Sequence, residues 1–269
     1  MRARHLTPVV SLVRRPVSRI VRGLAAVVVT GLLAWALSGL VAGCDLRDTG
    51  SPRISGSGVP GAEPAVNLSP GLQPLWPFAD AAAAREWQAS YRSGGQQPWH
   101  LDPGVTALSF VQGYLGFTGL DQVTSSYEGS GRALVGVGAA LPDGRILTAA
   151  IVRLVRLGIG DDAPWEVVGT RDTTLSVDTP AYGSTARSPL PVGGTISGVD
   201  ESLRVQVRRV GAEAPAGTAC CVPAGGQNTR WSTTVPFTSP PGPVLTVVVA
   251  TGGHVADVER FAVTGVRAG

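Results

Sequence analysis

The hydrophobic and polar positions divide the chain into four stretches of different character. Residues 1–43 combine an arginine-rich start with a long uncharged apolar run, and residues 44–74 are rich in Gly, Pro and Ser without any apolar period. Residues 75–173 carry helix-like and then strand-like periods, whereas residues 174–269 carry strand-like periods alone. We therefore expect an export signal, a flexible tether and two folded domains with separate cores.

Two helices are predicted at the start of the first domain. In one, Phe78 and Trp87 share a side, and Gly94-Gly95 provides the end. The other begins at Asp102, which stands in the N-cap position before Pro103. The apolar stripe that follows consists of Val105, Leu108, Val111 and Leu115.

Three strand-like runs complete the first domain, at 132–141, 144–157 and 164–171. Pro142-Asp143-Gly144 is a strong turn signal between the first two runs. Two helices followed by a curled antiparallel sheet make this domain α+β. The triplet Trp165-Glu166-Val167 resembles the end of the last strand in NTF2-like cone domains, and a cone of that kind implies a pocket for a small apolar ligand.

Helix signals are missing from residues 174–269, where short apolar runs alternate with turns at the spacing typical of a β-sandwich. One run shows the alternation best. Its inward positions are Leu203, Val205 and Val207, and its outward positions are Arg204, Gln206 and Arg208. We expect an all-β domain whose outward arginines lie on a solvated face.

Four short motifs stand in the first half of this domain: Pro180 with Gly183, Ser188-Pro189, Val192 with Gly194, and the acidic pair Asp200-Glu201. Together with the runs around them, at 179–207 and 236–263, they resemble the Gmad2 domain, the immunoglobulin-like domain first described in bacterial spore-germination proteins. The chain departs from that family at Val199, where an aromatic residue is frequent, and in a Gly/Ala/Cys-rich insertion at 211–228. The resemblance implies an exported immunoglobulin-like sandwich with an interaction role, and it supplies no catalytic residues.

The border between the apolar run and the tether carries a single cysteine. Val41-Ala42-Gly43-Cys44 follows the uncharged run from Gly23 to Gly43 and precedes a polar segment. This arrangement resembles the lipobox of bacterial lipoproteins, which implies that the signal is cut before Cys44 and that the cysteine is lipidated. An uncleaved transmembrane anchor is the alternative, because the run is long enough to cross a bilayer. Either way, the rest of the chain is expected to be exported and tethered.

Processing at Cys44 changes the charge of the chain. The whole sequence carries a formal net charge of +3, from 22 basic and 19 acidic residues. Six arginines and no acidic residue precede Cys44, so the mature part holds 16 arginines against 19 acidic residues. The basic character that would suggest nucleic-acid binding is therefore lost on processing, and we expect no nucleic-acid partner.

Every basic residue is arginine, a pattern that with abundant Ala, Gly, Pro and Val is typical of GC-rich genomes such as those of actinobacteria. The absence of lysine excludes a Walker A loop, Schiff-base chemistry and a Ser-x-x-Lys acylation site.

The mature sequence contains two histidines, His100 and His254. Neither accompanies a Gly-x-Ser-x-Gly elbow, and two histidines with one adjacent cysteine pair cannot provide the usual zinc-ligand spacing. We interpret both as surface or loop residues, and we expect no catalytic residue, no metal site and no cofactor. The weak candidates for binding are Arg204 and Arg208, which could meet an anionic polymer, and Trp99 with His100, which could line a cleft.

Cys220 and Cys221 are the thiols that remain once Cys44 is alkylated. Three states are open to them: two free thiols, an intermolecular bridge, or a bond between the neighbours. Adjacent Cα atoms lie closer than in most disulfides, so a bond between neighbours needs a permissive loop. The Gly-, Ala- and Pro-rich surroundings favour that vicinal disulfide as a rigid staple in an oxidising compartment.

Taken together, these patterns predict a lipid-anchored binding or interaction module on the outer face of the cytoplasmic membrane. Its membrane contact is the lipidated N-terminus, and its partner is expected to be an envelope protein or a cell-wall polymer. An envelope hydrolase that uses Asp or Glu carboxylates is one alternative, because carboxylate pairing is invisible in a sequence. A carrier of a small apolar ligand in the first domain is the other.

Overall fold

The computed structural model describes residues 71–171, 173–252 and 258–269. The expected signal, nearly all of the tether, Cys44 and His254 lie outside these ranges. The described chain is mostly β-structure, with two short helices and two largely antiparallel sheets. All of the described residues belong to one compact unit.

Helix α1 spans Ala81–Gly94. It begins at Asp80, whose carboxylate accepts hydrogen bonds from the N–H groups of Ala82 and Ala83, both at 2.9 Å. It ends where Gly95 adopts the left-handed conformation, with φ +66°. The end predicted from Gly94-Gly95 is therefore confirmed.

Helix α2 spans Pro103–Ser109 and continues into a π-helical turn at Phe110–Tyr114. Asp102 caps it as predicted, accepting from the N–H of Val105 at 2.9 Å. The predicted apolar stripe is wrong at its first position, because Val105 is 44% exposed. The buried side of α2 instead consists of Pro103, Thr106 and Ala107, and the wider π turn then places Val111 in the core.

The first sheet has four antiparallel strands in the order β1-β2-β3-β4. Their bounds are Gln122–Gly129, Arg132–Ala140, Ile146–Arg156 and Trp165–Arg171. Strands β2, β3 and β4 confirm the three predicted runs, and the turn at Pro142-Asp143-Gly144 joins β2 to β3. Strand β1 was not predicted. Beyond β4, the segment at Leu75-Trp76 pairs with Val167 through two backbone hydrogen bonds of 2.9 and 2.7 Å.

Two bulges lie near Gly138, one in the pairing of β2 with β1 and one in its pairing with β3. One lies on β1 between Val123 and Ser125, and the other lies where Gly138 of β2 pairs with β3. A Cβ atom at Gly138 would overlap the carbonyl oxygen of Leu147. The glycine thus permits a close backbone approach at a point where bulges bend the neighbouring strands.

The second sheet has five strands in the order β5-β9-β8-β6-β7. In chain order, β5 spans Thr185–Ala186, β6 spans Leu190–Arg208, β7 spans Gly217–Val235, β8 spans Val244–Ala250 and β9 spans Phe261–Ala268. Strands β6 and β7 form a long ribbon whose register shifts around Gly198 and again opposite Arg204. The Gly/Ala/Cys-rich insertion at 211–228 was expected to be a loop, but from Gly217 onward it belongs to β7. The register shifts between β6 and β7 accommodate the extra residues of β7 that have no partner on β6.

The core consists of two main clusters. One fills the second sheet, where Leu203, Val205 and Val207 are completely buried, as their alternation predicts. The other lies between α2 and the first sheet, and it also includes side chains of β8 and β9: Val248, Ala250, Phe261 and Val263. The core of the first part is therefore completed by the second sheet rather than closed on itself.

Candidate functional site

A row of three arginines crosses the outer face of the first sheet. In the strand register, Arg132 of β2 lies opposite Val155, Arg153 of β3 lies two residues further along, and Arg171 of β4 lies opposite Ile151. No bulge interrupts these steps, so all three side chains leave the same face. The arginines therefore form a diagonal across three neighbouring strands.

These three arginines are exposed and are available for a ligand. Among the described residues, none of them has a side-chain ion pair or hydrogen bond. Four other arginines, by contrast, are paired with carboxylates: Arg92 with Asp162, Arg145 with Asp143, Arg204 with Glu259, and Arg230 with Asp178.

Two adjoining depressions follow the same diagonal. The first has a volume of about 290 Å³ and includes Arg132, and the second has a volume of about 580 Å³ and includes Arg171. They share Leu134 and Arg153 as common walls. The apolar part of the first depression is Leu72, Ala133, Leu134, Leu154, Val155 and Val168.

Two tyrosines border these depressions. Tyr127 lies on β1 opposite Leu134 and is 70% exposed. Tyr182 comes from the loop before β5 and is 38% exposed. Its hydroxyl accepts from the N–H of Gln73 at 2.8 Å and donates to the carbonyl of Gln73 at 3.3 Å, which fixes the ring beside Gly169. Burial raises the pKa of the Tyr182 hydroxyl, so it stays protonated at neutral pH.

We call this surface the arginine groove: Arg132, Arg153 and Arg171, the bordering Tyr127 and Tyr182, and the apolar floor given above. None of the described residues that line it carries a carboxylate, an imidazole or a thiol. The hydroxyl of Thr170 is already engaged, since it donates to the carbonyl of Val263 and accepts from the same residue's N–H. The groove can therefore bind an anion, and the described residues that line it offer hydroxyl groups, those of Tyr127, Tyr182 and Thr264 among them, but no acidic, histidine or cysteine side chain.

Sequence reasoning missed these arginines because each belongs to a different strand-like run. The runs at 132–141 and 164–171 contain one arginine each and the run at 144–157 contains three, so each run offered an arginine as a usable signal. Their alignment depends on the cross-strand register, and the register is set by the bulges and turns of the folded sheet.

Of the predicted pair Trp99 and His100, the tryptophan is half-buried and the histidine is buried. His100 is only 3% exposed, so its interpretation as a surface or loop residue is wrong. Its ring stacks on Trp99 with a centroid separation of 3.6 Å, and it lies 4.9 Å from Trp87 and 5.0 Å from Phe78. The surrounding rings exclude water, and this desolvation lowers the pKa of His100 to about 4.

The predicted arginines also have structural partners. Arg204 donates to the carboxylate of Glu259 at 2.6 Å. Arg208 was expected to point into solvent, but it is half-buried and lies over the ring of Tyr114 at 5.1 Å. It also donates to Gln206 at 3.1 Å and to the carbonyl of Glu213 at 3.3 Å. Arg208 therefore acts as packing between the second sheet and the π turn.

One acidic side chain is buried among the described residues. Glu166 of β4 is completely buried, and one of its oxygens accepts from the N–H of Phe78 at 3.1 Å. Its other oxygen has no partner. Burial without a countercharge raises the pKa of this carboxyl well above its ordinary value of 4.5, which favours the protonated form of Glu166.

The described residues include neither a cluster of acidic, histidine and cysteine side chains suited to a metal ion nor a helix with the length and apolarity needed to cross a membrane. Asp162 in the β3–β4 turn, one residue of the acidic pair there, is bound by Arg92 and Gln88.

Cys220 and Cys221 are bonded to each other. Their Cα atoms are 3.7 Å apart, and both residues are exposed. They occupy a bulge of β7, in which two residues face the single residue Arg204 of β6, and Cys221 has φ +65°. The bond therefore lies in a strand bulge and not in the loop that the sequence suggested.

Glu166 and His100 should give folding stability a pH dependence of opposite sign. Between pH 4.5 and its raised pKa, the folded chain keeps a proton on Glu166 that the unfolded chain has lost, so stability falls as the pH rises. For His100, between about pH 4 and 6.5 the unfolded chain binds the extra proton, so stability rises with pH. Each slope is at most about 1.4 kcal/mol per pH unit.

The variant Glu166→Gln, a neutral isostere, should therefore unfold at a higher temperature than the wild type at pH 8, with a margin that narrows toward pH 4.5. Circular dichroism melting curves at several pH values measure it, with the exposed Glu86→Gln as the control. An equal margin at both pH values would show that Glu166 ionises normally. A His100→Phe variant should lose the rise between pH 4 and 6.5.

The disulfide makes a second prediction. Because Cys220 and Cys221 close a ring with almost no chain inside it, reduction should change the free energy of unfolding by less than about 1 kcal/mol. Intact-mass measurement after alkylation should show no alkyl uptake at these two residues before reduction and two alkyl groups afterwards. Uptake of two groups by the folded, unreduced monomer would contradict the bond.

Comparisons of the chain with protein-family models, with curated proteins and with solved structures found no match. The function of this chain is therefore inferred from its own site, and the arginine groove is the surface whose geometry best fits a ligand.

Proposed function

We propose that this chain is an exported, lipid-anchored protein of the cell envelope that binds a partner without catalysis. In this proposal the mature chain begins at Cys44, and the folded part stands off the outer face of the cytoplasmic membrane on its tether. The partner is an envelope component, either a protein or a cell-wall polymer.

The observation that carries this proposal is the arginine groove. These three side chains are exposed and make no ion pair or side-chain hydrogen bond with the described residues, so no such contact within the described fold accounts for their position. Three guanidinium groups on one face, beside an apolar floor and two tyrosines, have the composition of a recognition surface.

Two features favour binding over a carboxylate-based hydrolase. The groove lining presents no acidic side chain among the described residues. Glu166 is enclosed, so it touches no solvent and can reach no substrate. A hydrolase of that class needs two carboxyl groups that flank a bond of the substrate.

The carrier alternative is also less favoured. The inner face of the first sheet, where a cone-like pocket would open, packs against Phe110 and Val111, both completely buried. The side chains of α2 and the π turn therefore occupy the space that a small apolar ligand would need.

The second part of the chain fits an immunoglobulin-like sandwich in this proposal. Both halves of the β6–β7 ribbon contribute to one core, with Val192 and Ile196 from the first half and Leu203 and Val205 from the second. Two motif glycines of the Gmad2 resemblance also have a backbone reason to be glycine. Gly183 has φ +75°, and a Cβ atom at Gly194 would overlap the carbonyl of Ser176.

Anchoring is the first prediction of the proposal. Mass spectrometry of the membrane fraction should find an N-terminal peptide that starts at Cys44 and carries the mass of two or three acyl chains, because one chain alone holds a protein only marginally. Cys44→Ala should abolish this modification and the associated processing. A membrane-bound chain that retains Met1 would support the transmembrane anchor instead.

Partner binding is the second prediction. Crosslinking in intact cells, followed by purification under denaturing conditions, should recover the wild-type chain with an envelope protein or wall material. The same adducts should be reduced for Arg153→Gln and unchanged for Arg85→Gln, which removes an exposed arginine from α1. Identical adducts for both variants would separate partner binding from the groove.

A further inference from the structure

Resting on the proposed function, we infer that the arginine groove binds an anionic glycopolymer of the envelope, a chain of sugar or polyol units that carries phosphate or carboxylate groups. The inference names the partner class for the site described above. It depends on the spacing of the charges, the shape of the groove and the position of the tyrosines.

The spacing of the arginines suits a repeating anion. Diagonal neighbours on adjacent antiparallel strands have Cα atoms about 7–8 Å apart, and Arg132, Arg153 and Arg171 follow two such steps. Guanidinium groups recognise phosphate and carboxylate through paired N–H donors. A compact anion could engage one or two of them, whereas a chain with regularly spaced charges engages all three.

The shape of the groove also favours a chain. The two depressions share Leu134 and Arg153 and continue from the β1–β2 edge to the residues Val263 and Thr264 of β9. Arg153 stands where they meet. A ligand that fills both depressions must be elongated and must pass Arg153, so this arginine is expected to contribute most.

The tyrosines favour sugar units over a purely ionic chain. Tyr127 at the β1 side is 70% exposed and belongs to none of the hydrophobic core clusters of the described residues, while Tyr182 at the other side is fixed by Gln73. An exposed aromatic face is a flat apolar surface with a polar edge, which suits the C–H face of a sugar ring. In the register, Tyr127 lies opposite Leu134, Leu134 opposite Arg153, and Arg153 opposite Gly169, where the ring of Tyr182 lies. The two rings therefore stand on either side of the middle arginine, which suits a polymer that carries sugar rings beside its anionic groups.

The charge of the groove is local rather than global. The mature chain has more acidic than basic residues, so its net charge would repel a polyanion at long range. Glu166 lies opposite Val155 of the groove floor, but its side chain is completely buried and accepts a hydrogen bond from the N–H of Phe78, and burial favours its protonated form. Removing arginines elsewhere therefore gives a control with the same net charge and an intact groove.

Binding can be measured by titrating purified full-length protein in detergent with four polymers of similar length: poly(glycerol phosphate), alginate, neutral dextran and poly-L-glutamate. We expect binding to poly(glycerol phosphate) or alginate that weakens as sodium chloride rises from about 0.02 to about 0.5 M, because salt screens exposed charges. Dextran should not bind measurably, and poly-L-glutamate should bind more weakly than the preferred glycopolymer.

The variant Arg132→Gln/Arg153→Gln/Arg171→Gln should bind the preferred polymer about tenfold more weakly, the sum expected from three exposed ionic contacts. The control Arg85→Gln/Arg187→Gln/Arg267→Gln removes the same charge from exposed residues that do not line the groove, and its affinity should stay within about twofold. Melting curves establish that both variants fold. Equal losses in the two variants would overturn the groove as the site.

Tyr127→Ala tests the sugar part of the inference. It should weaken binding of alginate while leaving the weak binding of poly-L-glutamate unchanged. If poly-L-glutamate binds best and Tyr127→Ala has no effect, the glycopolymer is wrong and an acidic peptide is the partner. In that case the proposed function stands. If crosslinking in intact cells recovers no envelope protein or wall material with the chain, the proposed function itself is wrong.

Discussion

The structure depends on two strands of the second sheet, β8 and β9, that are buried on both faces. Along β8, Leu245, Val247 and Val249 enter the core of the second sheet, while Val248 and Ala250 enter the core shared with α2. Strand β9 divides its side chains in the same way. Because each strand alternates between two apolar environments, the two parts of the chain cannot separate without exposing a core on each side.

This packing also determines where the arginine groove lies. The end of β4 rests against β9, and Thr170 exchanges two hydrogen bonds with the backbone of Val263. That contact brings the loop of Tyr182 beside Gly169 and close to Arg153. The second depression of the groove therefore exists only because the two sheets are fixed against each other, although its charges come from the first sheet.

The sequence was informative wherever local chemistry determines the structure. The cap at Asp102, the helix end at Gly95, the turn at Pro142-Asp143-Gly144 and the alternation of β6 are short-range signals, and the structure contains each of them. Strand β1 was missed because its residues are mostly polar and exposed, so no apolar alternation marks it. Its strand geometry comes from pairing with β2.

Features that depend on distant contacts could not be read in advance. The alternation of β6 correctly placed Arg208 opposite to Val207, but only the folded chain supplies the ring of Tyr114 that covers it. The burial of His100 likewise requires the rings of Phe78, which precedes α1, and Trp87, which lies within α1. The diagonal of arginines required the register of three strands. In each case the missing information was tertiary, not local.

The bulge at Cys220-Cys221 has a consequence for the outer edge of the second sheet. Strand β7 ends that sheet, and a long free edge can pair with the edge of another chain. At the bulge, the left-handed backbone of Cys221 breaks the alternation of N–H and C=O groups, and the bond between the cysteines holds the two residues in that conformation. A second molecule approaching β7 therefore meets two short runs out of step with each other, and an edge of 19 residues cannot act as one continuous template for aggregation.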